Sequence, residues 1–269
     1  MMPQWTTRLR IYKFVYEKGT NVALYNAEHS KRYSNFKKKV EKALNAQIKY
    51  VSAQTDMLYV LAKAKNTTAE LMQQVGILIA QKKLSGDIEL SAYLVWAGEQ
   101  GGQAAMDKLG IQSIFGLKNQ ALIDYFDDYS KLIIDSVDNT TKEWIANKIQ
   151  EGKNNGLNPF QIQETLVNDG KGISMIRAER IVLTETAKAM STIELEAAKK
   201  YGIKRKIWRT SRDDRVDPIC TDLEGVEVAI GEEFPGGFQG NPAHVSCRCY
   251  IEEVIPEGWI LPKDYWEGE

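Results

Sequence analysis

The chain has 269 residues, of which 43% are hydrophobic and 26% are charged, and its formal net charge is −1. These values are ordinary for a soluble globular protein of one large or two small domains. No apolar run reaches the roughly 20 residues that span a bilayer, and the first residues lack the apolar core of a signal peptide. We therefore expect a protein that is made in, and stays in, a reducing compartment, with no membrane partner.

The charge is distributed unevenly along the chain. Residues 1–50 contain eleven Lys and Arg against three acidic residues, a local charge of +8 that leaves −9 for the rest of the chain. Such asymmetry indicates an anionic partner for the N-terminal part, and DNA fits it. Six residues are the candidates for nucleic-acid binding: Lys31, Arg32, Lys37, Lys38, Lys39 and Lys42. The alternative is that the lysine triplet at 37–39 simply forms the solvated face of a helix.

The N-terminal part is predicted to be helical after an arm of residues 1–30 that is rich in aromatic residues and cations. Apolar residues recur every three or four positions from Tyr33 to Leu61, which predicts a long amphipathic helix over residues 27–65. Further helices are predicted at residues 68–81, 88–100, 118–136 and 139–151, with Gly101-Gly102 at a junction between two of them. Together they form a predicted helical domain of residues 31–152.

From residue 153 to residue 269 the chain is predicted to form a separate module. Asn158-Pro159 is a typical helix start, and after a break at residues 169–172 a longer helix is expected over residues 174–200. Three short segments with alternating or β-branched residues predict a small antiparallel sheet, at residues 206–210, 226–230 and 248–254. The predicted fold class is therefore α+β: a helical N-terminal part followed by a small C-terminal helix-plus-antiparallel-sheet module.

A series of short motifs runs through the C-terminal module in a distinctive order. They are Thr184-Glu185-Thr186 in an arginine-rich helix, Gly202-Ile203, Trp208 in a strand, Asp213-Asp214-Arg215-Val216, Leu223-Glu224-Gly225, Phe234-Pro235 and Pro242-Ala243-His244-Val245-Ser246-Cys247-Arg248-Cys249. Over about residues 158–256, the sequence resembles the Mu protein F-like (phage head morphogenesis) family in these motifs. Cys220 is a departure, because His is frequent there in the family, but Cys keeps a metal-capable side chain at that position.

The resemblance implies a structural role in the head of a tailed bacteriophage. It implies a minor capsid protein that lies near the portal inside the head, with the portal, capsid or scaffold proteins and the packaged DNA as its partners. The expected location is the host cytoplasm during assembly and the interior of the virion afterwards. The N-terminal excess of positive charge fits contact with DNA, because each phosphate that Lys or Arg neutralises releases counterions.

All three cysteines and one of the two histidines fall within thirty residues near the C-terminus. Cys220, His244, Cys247 and Cys249 offer three thiolates and one imidazole, a tetrahedral set for structural zinc that would stabilise a small module. In a regular strand, residues two apart are separated by about 7 Å. Cys247 and Cys249 can therefore share a metal only in a turn or bulge before the strand. A metal-free cluster of buried thiols and a disulfide remain alternatives.

Glu185 lies mid-helix among apolar neighbours, so we expect it to be partly buried and to need a charged partner. Its candidate partners are Arg177, Arg180, Arg212, Arg215 and Arg248. A structural ion-pair network that ties the helix to the sheet is favoured over a catalytic role for Glu185. Trp208 is likewise expected to be a core aromatic residue at a contact between helix and sheet.

An enzyme, either ADP-ribosyltransferase-like or zinc-dependent, is the alternative function. Modules of this family can be joined to toxin domains such as ADP-ribosyltransferases, and a zinc site can activate water. A catalytic zinc, however, normally has three protein ligands and an open position, whereas four candidate ligands are present here. The sequence also contains no Ser/His/Asp set, no Gly-rich phosphate loop and no paired Cys-x-x-Cys knuckles of a zinc-ribbon regulator. We therefore expect no enzymatic activity.

Overall fold

The computed structural model describes residues 27–64, 68–84, 88–111 and 113–260, with side chains from residue 31 onward. Most of the predicted arm lies outside these residues. The α+β class is confirmed, because helices occupy the N-terminal part and a three-stranded antiparallel sheet follows near the C-terminus. None of the described helices combines the length and the apolar character that crossing a membrane requires.

Ten elements follow one another along the described residues. The helices are α1 (Ala27–Ser52), α2 (Thr55–Lys63), α3 (Thr68–Gln81), α4 (Leu90–Lys108), α5 (Gln120–Asn154), α6 (Pro159–Lys200) and α7 (Pro218–Leu223). The strands are β1 (Arg205–Arg209), β2 (Glu227–Ala229) and β3 (Tyr250–Glu253). The three predicted strands are confirmed to within two residues at each end.

Several predicted helix boundaries were wrong. The single helix predicted over residues 27–65 is interrupted between α1 and α2, where the hydroxyl of Thr55 donates to the carbonyl of Ser52 at 2.5 Å and competes with helical hydrogen bonding. Other predicted helix ends are absent, because the helix continues through them. This is the case at Gly101-Gly102 in α4, at residues 136–139 in α5 and at residues 169–172 in α6. The helix start at Pro159 is confirmed, since Asn158 Oδ1 accepts a hydrogen bond from the backbone N–H of Gln161 at 3.0 Å.

The described residues divide into two compact units, each built from segments that are distant in sequence. The mixed unit contains residues 27–33, 92–123 and 180–260, and the helical unit contains residues 34–91 and 124–179. The division into an arm, a helical domain of residues 31–152 and a module of residues 153–269 stays a prediction.

The helical unit has a core of buried aliphatic side chains. They are Ile48, Val51, Leu58, Ala62, Leu71, Val75, Ile79, Ile145, Ala146, Ile149, Ile162 and Leu166. Helix α6 contacts this core at Gly170. A Cβ added to Gly170 would lie 2.9 Å from Cγ2 of Ile48. The glycine therefore permits close packing against α1, which explains why it does not end the helix.

A polar cluster is buried in the same unit. The amide nitrogen of Gln47 donates to Asp138 Oδ1 at 2.8 Å and to the carbonyl of Lys82 at 3.1 Å. Within the described part of the chain, Gln47 Oε1 and Asp138 Oδ2 are buried without a hydrogen-bond partner. Burial raises the pKa of the Asp138 carboxyl. The carboxylate form is therefore disfavoured in this position.

We expect Asp138→Asn to stabilise the protein at neutral pH by about 1 kcal/mol. An asparagine amide could donate to the free Oε1 of Gln47 while its oxygen kept the existing bond. Because the folded-state pKa is raised, the folded protein binds the proton more tightly, so stability falls as pH rises through that raised value. Urea unfolding between pH 4 and pH 8 should show this fall in the wild type and a smaller one in the variant; equal pH dependence would contradict the prediction.

The sheet of the mixed unit has the order β2-β1-β3, and both neighbours are antiparallel to β1. Lys206 and Trp208 alternate with more exposed residues along β1 and face the core. Trp208 is fully buried and meets Phe234 edge to face, with ring centroids 5.3 Å apart. The prediction that Trp208 is a core aromatic residue is confirmed.

Candidate metal centre

Cys220 is held on the short helix α7. Pro218 occupies the first turn, and the side chain of Asp217 accepts a hydrogen bond from the backbone N–H of Ile219 at 3.0 Å. This cap and proline favour a helix start at this position. Cys220 follows within the first turn and is fully buried.

The other predicted ligands lie in the irregular segment before β3. The backbone N–H of Cys247 donates to the carbonyl of His244 at 3.2 Å, and Ser246 adopts a positive φ of 61° within this turn. The backbone N–H of Ser246 also donates to the hydroxyl of Thr184 on α6 at 3.0 Å. Cys247 and Cys249 both precede the strand, which begins at Tyr250 and not at residue 248 as predicted. They therefore meet the condition for sharing a metal, which is that they lie outside regular β structure.

The ligand atoms of Cys220, His244 and Cys247 all lie within 4.8 Å of one another. The sulfur atoms of Cys220 and Cys247 are 3.7 Å apart, and all three cysteines are free. Cys249 is not part of this closest group, although its thiol interacts with both other thiols. The structure thus brings together three of the four predicted ligands and places the fourth beside them.

The three thiols are coupled by hydrogen bonds. The Cys220 and Cys247 thiols share a hydrogen bond, which raises the pKa of Cys220 and lowers the pKa of Cys247. Hydrogen bonds to Cys220 and Cys247 raise the pKa of Cys249.

The donor set fits a soft or borderline divalent cation. Thiolate sulfur and imidazole nitrogen are the ligands that zinc prefers. Cys220, Cys247 and Cys249 are buried among core residues of the mixed unit, while His244 is half-buried at its edge. A metal bound there would link α7 to the segment that precedes β3.

Three of the predicted arginines, Arg212, Arg215 and Arg248, form ion pairs near this cluster. Their acidic partners are Asp213 and Glu224. Arg248 makes a bidentate pair with Asp213, with one N···O distance of 2.6 Å, and holds the pKa of Asp213 well below its ordinary value. Arg215 also pairs with Asp213, at 3.7 Å, and Arg212 pairs with Glu224 at 3.0 Å.

The central acid of the predicted network lies on α6. Glu185 is half-buried there, and Arg180 is exposed on the same helix. The pairing of Glu185 with Arg180, Arg212, Arg215 or Arg248 stays a prediction.

The six predicted nucleic-acid ligands all lie on α1, but in different surroundings. Lys37 pairs with Glu179 at 2.5 Å and Lys39 with Glu89 at 3.0 Å. The guanidinium of Arg32 lies 4.7 Å from the centre of the Trp96 ring. The remaining three are exposed lysines: Lys31, Lys38 and Lys42.

The roles of three residues that bear on these sites were not assigned from the sequence. Thr184 and Asp213 could not be assigned, because their partners Ser246 and Arg248 are 62 and 35 residues away. Lys49, by contrast, is exposed seven residues after Lys42 and so on the same helix face. Helical spacing alone could have identified it.

A comparison with known protein families gives a match for the part of the chain that contains the cysteine-histidine cluster. Residues 143–252 match the family described as Phage Mu protein F like protein. The resemblance predicted for the C-terminal part is thereby confirmed, and the match includes Cys220, His244, Cys247 and Cys249. The match covers less than half of the chain.

A search of known proteins adds a relative from Bacillus subtilis (strain 168), "Uncharacterized protein YqbB". It is 26% identical over 172 residues, which cover 58% of this chain and 56% of the relative. The chain therefore matches little more than half the length of that relative. No solved structure matches the chain.

Proposed function

We propose that this protein is a minor capsid protein of a tailed bacteriophage, with an architectural role in head morphogenesis. The observation that carries the proposal is the Mu F-like match over residues 143–252, which includes the cysteine-histidine cluster and all but the last residue of the sheet. The partners are the portal, capsid or scaffold proteins and the packaged DNA. The protein is in the host cytoplasm during assembly and then inside the head, close to the portal.

Purified phage particles test this proposal directly. Quantitative mass spectrometry of virions should detect the chain at a low copy number, and a portal pull-down from infected cells should recover it. Disrupting its gene should lower the yield of infectious particles, and a plasmid copy should restore the yield. Absence of the chain from both virions and portal complexes would contradict the proposal.

DNA binding is assigned to one face of α1. Lys38, Lys42 and Lys49 are spaced by four and seven residues, so they lie on one side of the helix. All three are exposed and form no ion pair with the residues that the structure describes. Lys31, seven residues before Lys38, continues this spacing. Because Lys37 and Lys39 already have carboxylate partners, they contribute less to an anion-binding surface.

We expect the variant Lys38→Gln/Lys42→Gln/Lys49→Gln to bind duplex DNA roughly tenfold more weakly at moderate salt. Its plot of log affinity against log salt should be shallower by about 3, because each lost phosphate contact removes nearly one released counterion. Filter binding from 50 to 200 mM salt measures both. Lys37→Gln/Lys39→Gln is the matched control and should change binding less. Equal loss in both variants, or no binding by the wild type at low salt, would contradict the assignment.

A structural zinc ion is the cofactor that the cluster supports. Cys220, His244 and Cys247 would hold it, and Cys249 is the candidate for the fourth position. Four protein ligands leave no open position for water, which fits an architectural site better than a catalytic one. The ion would link α7 to the segment before β3, and its binding free energy would stabilise the folded module.

Elemental analysis of the protein purified under reducing conditions should find about one zinc per chain if the site is a four-ligand structural site. Cys220→Ser and Cys247→Ser should lose the zinc and lower the thermal transition by several degrees. Val245→Ser, a change of an exposed residue in the same segment, should retain it. A wild-type protein without zinc, or cysteine variants with an unchanged transition, would indicate inert buried thiols instead.

A further inference from the structure

The two closest sulfur atoms of the cluster belong to separate segments of the chain. Cys220 lies on α7 and Cys247 in the segment before β3, and their sulfur atoms are 3.7 Å apart without a bond between them. A disulfide requires a sulfur separation of about 2.0 Å. Only a small approach of the two side chains is therefore needed for a covalent bond.

Cys249 could pair with either of the other two cysteines, but the sulfur contacts favour Cys220–Cys247. The sulfur atoms of Cys220 and Cys247 are 3.7 Å apart, across 27 positions of sequence. Cys249 lies outside the group whose ligand atoms are all within 4.8 Å of one another. The geometry therefore favours Cys220–Cys247 over both pairs that contain Cys249.

We propose that Cys220 and Cys247 form a disulfide when a low-molecular-weight disulfide oxidises the metal-free cluster, and that bound zinc prevents this reaction. The second half of this inference rests on the proposed zinc site. A thiolate of the pair attacks the oxidant and forms a mixed disulfide, releasing one small thiol. The second cysteine, as its thiolate, then displaces the other small thiol. Two electrons pass from the two cysteines to the oxidant, and their two protons are released to solvent or to the small thiolates.

Zinc and the disulfide would make the same connection under different conditions. Each would tie α7 to the segment that contains His244 and Cys247. Zinc provides this link in the reducing cytoplasm, where disulfides do not persist. After release of the particle into an oxidising medium, the disulfide maintains the link if the metal is lost. The cluster therefore keeps this part of the head protein cross-linked in both environments.

Burial sets the rate of the reaction. Cys220 and Cys247 are 0% and 1% exposed, so the oxidant reaches them only when the covering segment opens. One hydrogen bond that closes the segment runs from the Ser246 N–H to the hydroxyl of Thr184. Thr184→Val removes this acceptor but no thiol, so it should accelerate disulfide formation several-fold and leave the bonded pair unchanged.

The test uses the full chain after chelation, incubated with oxidised glutathione and followed by intact mass and peptide mapping. We expect a loss of two hydrogen atoms in mass and a cross-linked peptide pair containing Cys220 and Cys247. Cys249→Ser should still form this bond, whereas Cys247→Ser should not. Persistent free thiols, a Cys247–Cys249 bond, or a stable glutathione adduct would overturn the proposal.

A parallel sample loaded with zinc separates this inference from the zinc assignment. Elemental analysis first shows whether the metal is bound, and the zinc-loaded sample should then oxidise at least tenfold more slowly. Failure to bind zinc would contradict the zinc site and the protective role but would leave the identity of the oxidising pair intact. Bound zinc with undiminished oxidation would overturn the protective role alone.

Discussion

Gly101→Ala should destabilise the protein by about 3 kcal/mol, at the upper end of the usual cost of overpacking. Gly101 lies inside α4, and a Cβ there would be 2.0 Å from the carbonyl oxygen of Met190 and 2.6 Å from its carbonyl carbon. These are backbone atoms in the middle of α6, so no side-chain rotation can relieve the overlap. The two helices would have to separate in the mixed unit and give up close packing. Urea unfolding followed by circular dichroism measures the loss.

Gly172→Ala is the matched control for this substitution. Gly172 is also a helical glycine, on α6, but nothing lies within 4 Å of the position where its Cβ would be. Alanine has the higher helix propensity, so this variant should be more stable by up to about 1 kcal/mol. Opposite signs for the two variants are expected. A Gly101→Ala protein as stable as the wild type would show that α4 and α6 are not in close contact at Met190.

Lys108→Met should destabilise the protein by about 3–5 kcal/mol, because it removes the cation that contacts two buried carboxylates. The Lys108 ammonium lies 2.6 Å from a carboxylate oxygen of Glu194 and 2.6 Å from one of Glu253. The side chains of Glu194 and Glu253 are only 7% and 4% exposed. Methionine preserves most of the volume but none of the charge. The midpoint of urea unfolding at pH 7 should therefore fall sharply.

A triple variant separates this charge effect from a packing effect. Lys108→Met/Glu194→Gln/Glu253→Gln should recover much of the stability, since these three buried charges are all removed. Lys131→Met, which breaks an exposed pair with Asp128, is the control and should change little. A deficit that the triple variant does not reduce would attribute the loss to packing.

The candidate metal centre was largely predictable, because its ligands are concentrated in a short stretch of sequence. Cys220, His244 and Cys247 converge as expected. The spacing of Cys247 and Cys249 showed that the two can share a metal only outside regular β structure. The predicted strand nevertheless began at residue 248 and included Cys249, whereas in the structure it begins at Tyr250. The sequence could not show that Cys249 lies beside the closest group rather than within it. That distinction depends on ångström-scale side-chain placement.

The buried ion triad was not predictable from the sequence. Lys108 is 86 residues from Glu194 and 145 residues from Glu253, and nothing local to any of the three indicates the contact. The helix ends that were predicted at glycines were wrong for the same reason. A glycine at a helix end and a glycine at a close helix contact have the same local signature. Only the position of Met190 distinguishes Gly101 from a helix terminus.

Local pattern alone determined the α+β class and the approximate positions of the strands, because periodicity is a property of neighbouring residues. The Mu F-like character of the C-terminal part was identified from its resemblance to a known family in the order of its short motifs. Tertiary structure decided the continuity of α4, α5 and α6 through predicted breaks, the choice of ion-pair partners and the division into two units of discontinuous segments. These features depend on which distant residues meet. Contact across a large sequence separation leaves no trace in a local pattern.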